Sequence, residues 1–305
     1  MPRIARIKRI DAIYHIMSRS ISELSLFKDK KDKDKYLYLM SKYKFIFQFK
    51  VYAYCLMTTH VHLEIDCCGA DISKIMKSIN QSYVAYYNKK YNRHGHLFQD
   101  RFNSKIVNSI DYLLTLSSYI HNNSRNINKY EKNIASYSYS SLGTYVGKQP
   151  NKYGIITTEY ILSFFSKNND RINSYFDFVN NHKASEKPSF EFVNQGSTSK
   201  NERQLIIRDC DSKTVIEFLS KYTDRPINIH AKFNHSNSEM RSIFVLIMRC
   251  LGNYSFKKIC SIVGNITIPN LWRLSENGYK LITLNDTYKN VLEDFIKEHG
   301  NIQIA

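Results

Sequence analysis

The sequence is short of acids, of long apolar runs and of paired cysteines, and each shortage excludes something. Only 27 of its 305 residues are Asp or Glu, against 44 Lys or Arg, which leaves a formal net charge of +17. An excess of that size calls for a polyanion, because phosphate contacts release condensed counterions. A genome biased towards lysine would enrich glutamate as well, so such bias does not account for the imbalance. The six cysteines (Cys55, Cys67, Cys68, Cys210, Cys250 and Cys260) contain no Cys-x-x-Cys pair. A zinc ribbon or dithiol motif is therefore not expected, and free thiols in a reduced compartment are. No apolar run approaches the ~20 residues that span a bilayer. The opening MPRIARIKRI alternates bases with isoleucine and has no continuous apolar core of the signal-peptide kind. A cytoplasmic protein without a membrane partner is expected. No GxxxxGK[ST] loop is present, so nucleoside triphosphate chemistry is not indicated.

What is present suits two folded units. The chain of 35.9 kDa is 43% hydrophobic, ordinary for a globular protein. Residues 4–18 read as a strand region, and the charged run 28–35 (KDKKDKDK) as a turn opening a helix through Tyr43. Phe45–Leu56 alternates and is rich in β-formers, which predicts a strand. His60–Ile65 is the next, and only Met57–Thr59 separates the two, which predicts a hairpin. Asp71–Lys90 has helical spacing, Phe102–Val107 reads as a fourth strand, and a helix follows from Ser109 or Asp111 to Asn123. This β-α-β-β-α-β-α order predicts an α+β domain on an antiparallel, ferredoxin-like sheet over residues 1–147. A helical extension (148–179, with a helix over Thr157–Val179), a polar linker (180–204) and a mainly helical second domain (205–305) follow.

The candidate chemistry starts at His60-Val61-His62. On a strand, residues i and i+2 face one side, so both imidazoles point together, with Glu64 behind them and Val61, Leu63 and Ile65 opposite. With ten histidines in the chain such a pair is not rare. A second one, His94-Gly95-His96, sits in a glycine turn and reads as a loop. On the helix over 109–123, Tyr119 and Asn123 stand one turn apart on one face. Docked on the histidine strand, Asn123 could complete a metal shell and Tyr119 could supply a nucleophile. Tyr112 and Tyr83 fit the same spacing logic, and spacing alone leaves the choice among them open.

Several blocks, in order, carry a resemblance: IYHIMSR (13–19), AYCLMTTHVHL (53–63), SYVAYYN (82–88), GHLFQDRF (95–102), YLL (112–114), SYIHNN (118–123) and YSSLGTY (139–145). Over about half the chain the sequence resembles the HUH single-tyrosine transposases, specifically the REP-associated tyrosine transposases. The resemblance implies a divalent ion, Mg²⁺ or Mn²⁺, on His60 and His62, with Asn123 as third ligand. It implies Tyr119 as the nucleophile of a DNA nickase and strand transferase that forms a 5′-phosphotyrosine link, without ATP. Its implied partner is single-stranded DNA beside a REP-like palindromic hairpin. Insertion-sequence members of the superfamily work as dimers and REP-associated members can act as monomers, so monomer and homodimer both stay open. Two positions depart from the family pattern: Thr59 stands for the usual Asn and Ser124 for the usual Pro.

Candidate phosphate contacts are Lys8, Arg9, Arg19, Lys89, Lys90, Arg93, Arg101 and Lys105, foremost Arg19 and Arg101 inside the matching blocks. Tyr14, Tyr86 and Tyr87 are candidate faces for stacked bases. In the second domain, residues 254–274 (YSFKKICSIVGNITIPNLWRL) read as a helix-turn-helix, with a turn at Gly264-Asn265 and a second short helix carrying Trp272 and Arg273. A plain helical bundle fits the same pattern. Three rivals remain: a non-catalytic DNA-binding regulator descended from such an enzyme, an RNA-binding ferredoxin-like protein, and a metal hydrolase using His60, His62 and Glu64.

Overall fold

Alternation along the strands decides which side chains meet. The computed structural model describes residues 9, 11–22, 24–165, 170–182, 203–208, 210–231 and 235–304. Lys8 and most of the predicted 180–204 linker lie outside the described residues. Two compact units divide the chain, residues 1–68 with 72–203, and residues 69–71 with 204–305.

The first unit runs β1 (Ile13–Arg19), α1 (Lys30–Phe47), β2 (Lys50–Leu56), β3 (His60–Asp66), α2 (Ile72–Lys90), β4 (Asn103–Val107) and α3 (Ile110–Asn122), then α4 (Leu142–Tyr145), α5 (Glu159–Leu162) and α6 (Arg171–Asn181). The sheet order is β2-β3-β1-β4, antiparallel throughout, which is the ferredoxin-like arrangement expected. Val61, Leu63 and Ile65 are fully buried on one face, where α2 reaches Ser18 Oγ through Asn80 Nδ2. The opposite face carries His15, His62 and Glu64 and is covered by α3.

Phe45–Phe47 end α1, although their alternation predicted a strand. The helix starts from a capping box, in which Asp29 accepts from Asp32 N and Asp32 accepts from Asp29 N. Its buried stripe then continues from Tyr36, Leu37, Met40 and Tyr43 to Ile46 and Phe47, so helical packing overrides the β-propensity of the three residues. Gln48 stops the helix in a left-handed conformation (φ 52°). Likewise, the helix expected over 157–179 is two helices, α5 and α6.

The second unit comprises β5 (Gln204–Ile207), α7 (Ser212–Thr223), α8 (His235–Cys250), α9 (Phe256–Val263), α10 (Ile268–Leu284), α11 (Val291–His299) and β6 (Asn301–Ile304), with β5 and β6 paired antiparallel. Helix α8 forms its centre, with Ile243–Met248 all fully buried. Helix α10 lies along α8, closest at Gly278, where an added Cβ would stand 2.4 Å from the Ser242 carbonyl oxygen. Gly278→Ala should therefore destabilise this unit by about 1–3 kcal/mol, the cost typical of overpacking. An unchanged unfolding midpoint in a denaturant titration would contradict the close approach.

Candidate active site

The site is built on the pairing of β1 with β3. In that register Arg19 is opposite His60, Met17 opposite His62 and His15 opposite Glu64. Directly paired residues share a face, so His15 joins the two histidines of β3. The His60 and His62 rings lie 5.0 Å apart at 89°.

Each of the two rings has one nitrogen engaged. Nδ1 of His62 lies 3.1 Å from His15 Nε2, and Nδ1 of His60 lies 3.1 Å from Thr59 Oγ1. In the tautomer in which Nδ1 donates in these contacts, Nε2 presents a bare lone pair, the form that ligates metals. All three imidazoles are kept neutral. Burial depresses His60, with a smaller contribution from Arg19. Burial also depresses His62 far below its usual range, helped by His15, His60 and Arg19. His15 is lowered to about 4, by burial and then by Lys105.

Tyr119 is half-buried on α3 and presents its ring edgewise to this face, 5.5 Å from the His62 ring and 6.1 Å from the His15 ring. The other candidate tyrosines are placed differently. Tyr83 is fully buried with its hydroxyl donating to the Leu26 carbonyl oxygen. Tyr112 lies near Glu64 and is pushed up to about 12, chiefly by burial. Asn123 caps α3, and its Nδ2 donates to the Tyr119 carbonyl oxygen at 2.8 Å, which leaves Oδ1 as its remaining polar atom.

The two departures from the family pattern are structurally accommodated. Thr59 gives His60 its Nδ1 partner. Ser124 lets Asn123 stay in a helical conformation (φ −55°, ψ −27°) at the start of a 3₁₀ turn, Asn123–Asn126. A proline at 124 would disfavour that backbone.

Helix α3 is clamped from behind. The buried His121 bridges Ser141 Oγ and the Tyr175 hydroxyl, at 2.7 Å each, and burial lowers it to about 3. Asn122 Nδ2 donates to the carbonyl oxygens of Val179 and His182 at the end of α6, at 2.7 Å each.

The cationic candidates divide. Arg19 and Lys105 are exposed and pair across strands with His60 and His15. Arg101 is exposed in the bend that enters β4. Arg93 is engaged at the end of α2, over the Tyr87 ring at 6.0 Å and donating to Asn88 Oδ1 at 3.4 Å. Arg9 pairs with Asp11, and Lys90 with Asp29 and Asp32. Lys89 is exposed. Tyr14 and Tyr87 are buried, and Tyr86 donates to Asp32 and has the Lys35 and Lys90 ammonium groups over its ring. His94 and His96 lie in an exposed loop.

Residue-by-residue reading missed His15. Its signal was available, since His15, Met17 and Arg19 alternate along one strand exactly as His60, His62 and Glu64 do. Among the described residues, no group of three or more His, Cys, Asp or Glu side chains is arranged to hold a metal. The donors that fit an ion are thus two neutral imidazoles, with a third from an amide, water or substrate oxygen. Imidazole nitrogens suit a transition ion such as Mn²⁺ better than Mg²⁺, which prefers oxygen donors.

The ferredoxin-like sheet, with its His-x-His strand facing a tyrosine-bearing helix, agrees with the resemblance of the sequence to the HUH single-tyrosine transposases. Residues 8–123 match the family model described as "Transposase IS200 like". A solved structure described as "Structure of the REP associates tyrosine transposase bound to a REP hairpin" is similar at 17% identity, with a TM-score of 0.41, over 49% of this chain and 89% of that one. No curated protein matches the chain.

Glu64 stands apart from these pairings. It is fully buried, neither carboxylate oxygen has a hydrogen-bond partner, and burial raises it well above the usual carboxylate range. A raised folded-state value means that its contribution to stability is fully present at low pH. That contribution is lost as pH rises above the unfolded value of about 4.3. In metal-free protein, Glu64→Gln should therefore raise the thermal midpoint more at pH 8 than at pH 5. Equal shifts at the two pH values would show that Glu64 titrates as an ordinary carboxyl.

Proposed function

We propose that the first unit is a metal-dependent nickase and strand transferase for single-stranded DNA, acting beside palindromic hairpins of the REP type. The observation that carries this is the edgewise approach of Tyr119 to His62 on a strand face where two imidazoles are engaged through Nδ1. The distribution of charge supports it. Residues 1–203 hold 31 of the 44 bases and 17 of the 27 acids, so most of the positive excess belongs to this part of the chain. The family match and the ordered motif blocks support the reaction class and the hairpin target. Among the described residues no helix is long and apolar enough to cross a membrane.

His60 and His62 would hold the ion, with Asn123 Oδ1 as the candidate third donor. Bound there, a divalent ion supplies Lewis-acid polarisation of a non-bridging phosphate oxygen. Tyr119 Oη attacks the phosphorus and loses its proton to solvent. The P–O3′ bond breaks and the departing oxygen leaves as a free 3′-hydroxyl. Attack by another 3′-hydroxyl on the phosphotyrosine reverses the step and releases Tyr119, so the phosphodiester energy is conserved. Arg19, Arg101 and Lys105 would hold the strand by its phosphates, and Arg93 is the more distant candidate for the same role.

The test uses single-stranded oligonucleotides from the flanks of the gene with Mn²⁺ or Mg²⁺, read as a protein–DNA adduct on a denaturing gel. Wild type should form the adduct and Tyr119→Phe should not, while the variant still binds the strand. An adduct that persists in Tyr119→Phe overturns the assignment. No adduct from wild type with any flank strand would instead favour a DNA-binding regulator. His15→Ala should weaken Mn²⁺ binding by about tenfold or more in titration calorimetry, as expected when an orienting partner of a ligating histidine is removed. Unaltered affinity would mean that His15 does not position His62.

A further inference from the structure

The second unit carries a surface that the proposed reaction leaves unused. Helix α9 ends at Gly264, whose φ is 66°, and Asn265 follows at φ 42°. These two positive φ values turn the chain within four residues into α10, which begins at Ile268 after Thr267 with Pro269 in its first turn. Two helices joined by a short glycine-containing turn, packed on a third helix, form the helix-turn-helix arrangement. The second helix has 17 residues, longer than the short helix expected from the sequence.

Helix α10 is two-faced. Leu271, Ser275, Gly278 and Ile282 form its buried stripe, and Arg249 Nη1 donates to Ser275 Oγ from α8. On the opposite side Asn270, Arg273, Asn277 and Lys280 are all exposed at spacings of three and four residues. These are the side-chain types that read base edges and phosphates: amides pair with adenine, guanidinium with guanine, and ammonium with phosphate. Ile268 and Trp272, exposed by 52% and 48%, flank this stripe at the start of the helix, where such a helix meets the base pairs. Across α9 and α10 there are four bases, Lys257, Lys258, Arg273 and Lys280, against the single acid Glu276. The residues from 204 onward hold 13 bases and 10 acids in all, so the excess is concentrated on these two helices.

We infer that α10 is a major-groove recognition helix, and that the second unit binds duplex DNA independently of the tyrosine site. Charge complementarity, the polar stripe and the turn geometry favour a duplex over a protein partner for this face.

Trp272 is the only tryptophan in the chain, so its emission reports on this face alone. The full-length protein is titrated with a random-sequence 24-base-pair duplex, with saturation followed by anisotropy of a labelled duplex. Trp272 emission should be quenched and shifted to shorter wavelength. The exposed double variant Arg273→Ala/Lys280→Ala, with its fold checked by circular dichroism, should lose about tenfold or more in duplex affinity. Its salt dependence should be shallower by about two phosphate contacts. Emission that stays constant at duplex saturation overturns the inference. So does an equal response to a single strand, or an emission change with protein concentration alone, which would mark a contact between copies. The same response is expected of Tyr119→Phe, so a failed adduct assay leaves this inference standing.

Discussion

The register of β1 against β3 is the constraint on which the candidate site depends. It puts His15 beside Glu64 and Arg19 beside His60, and so sends three imidazoles and a cation to one face. A slip of one residue would turn β1 over, removing His15 from His62 and sending Ile16 to the histidine face. The register is held from the other side by apolar burial. Ile16, Val61, Leu63 and Ile65 are all fully buried, so a one-residue slip would turn the buried side chains of the slipped strand off the core face. The core face thus specifies the chemical face, although the two share no side chain.

Electrostatics at this face work in one direction. Burial and the nearby Arg19 and Lys105 all oppose protonation of the histidines. The same cations that would attract a phosphate backbone therefore keep the imidazoles in their ligating form. Glu64 lies behind them with neither carboxylate oxygen hydrogen-bonded, and the same burial opposes its ionisation. Its cost to the fold is a local violation of the rule that buried polar groups are paired.

Much of this was legible in the sequence, because strand alternation and helix spacing are local properties. The four strands, the His60/His62 side and the Tyr119–Asn123 spacing all follow from them. The choice among Tyr83, Tyr112 and Tyr119 did not, since it depends on which helix covers which face of the sheet. The resemblance singled out Tyr119 in the sequence, and the ring of Tyr119 stands beside those of His62 and His15. Phe45–Phe47 misled because a residue triplet with high β-propensity can be captured by a helix already nucleated and capped upstream. His15 was missed because its role lies in a cross-strand contact between residues 47 apart. The engagement of Lys90 with Asp29 and Asp32, and of Arg93 with Asn88 and the Tyr87 ring, was not legible because lysine and arginine look alike in sequence whether they meet solvent, a carboxylate or a tyrosine ring.

The clamp behind α3 has a kinetic consequence. Asn122 and His121 tie the tyrosine helix to α6 of the same chain, so Tyr119 faces the histidines of its own polypeptide. Under the proposed reaction, one molecule would offer one nucleophile and would retain one severed 5′ end at a time. Excising a segment requires two breaks. A solitary molecule would have to make them in succession, sealing the first before opening the second, whereas two molecules could hold both ends together. The yield of excised product would then rise with the square of protein concentration at low occupancy, and nicking only with its first power.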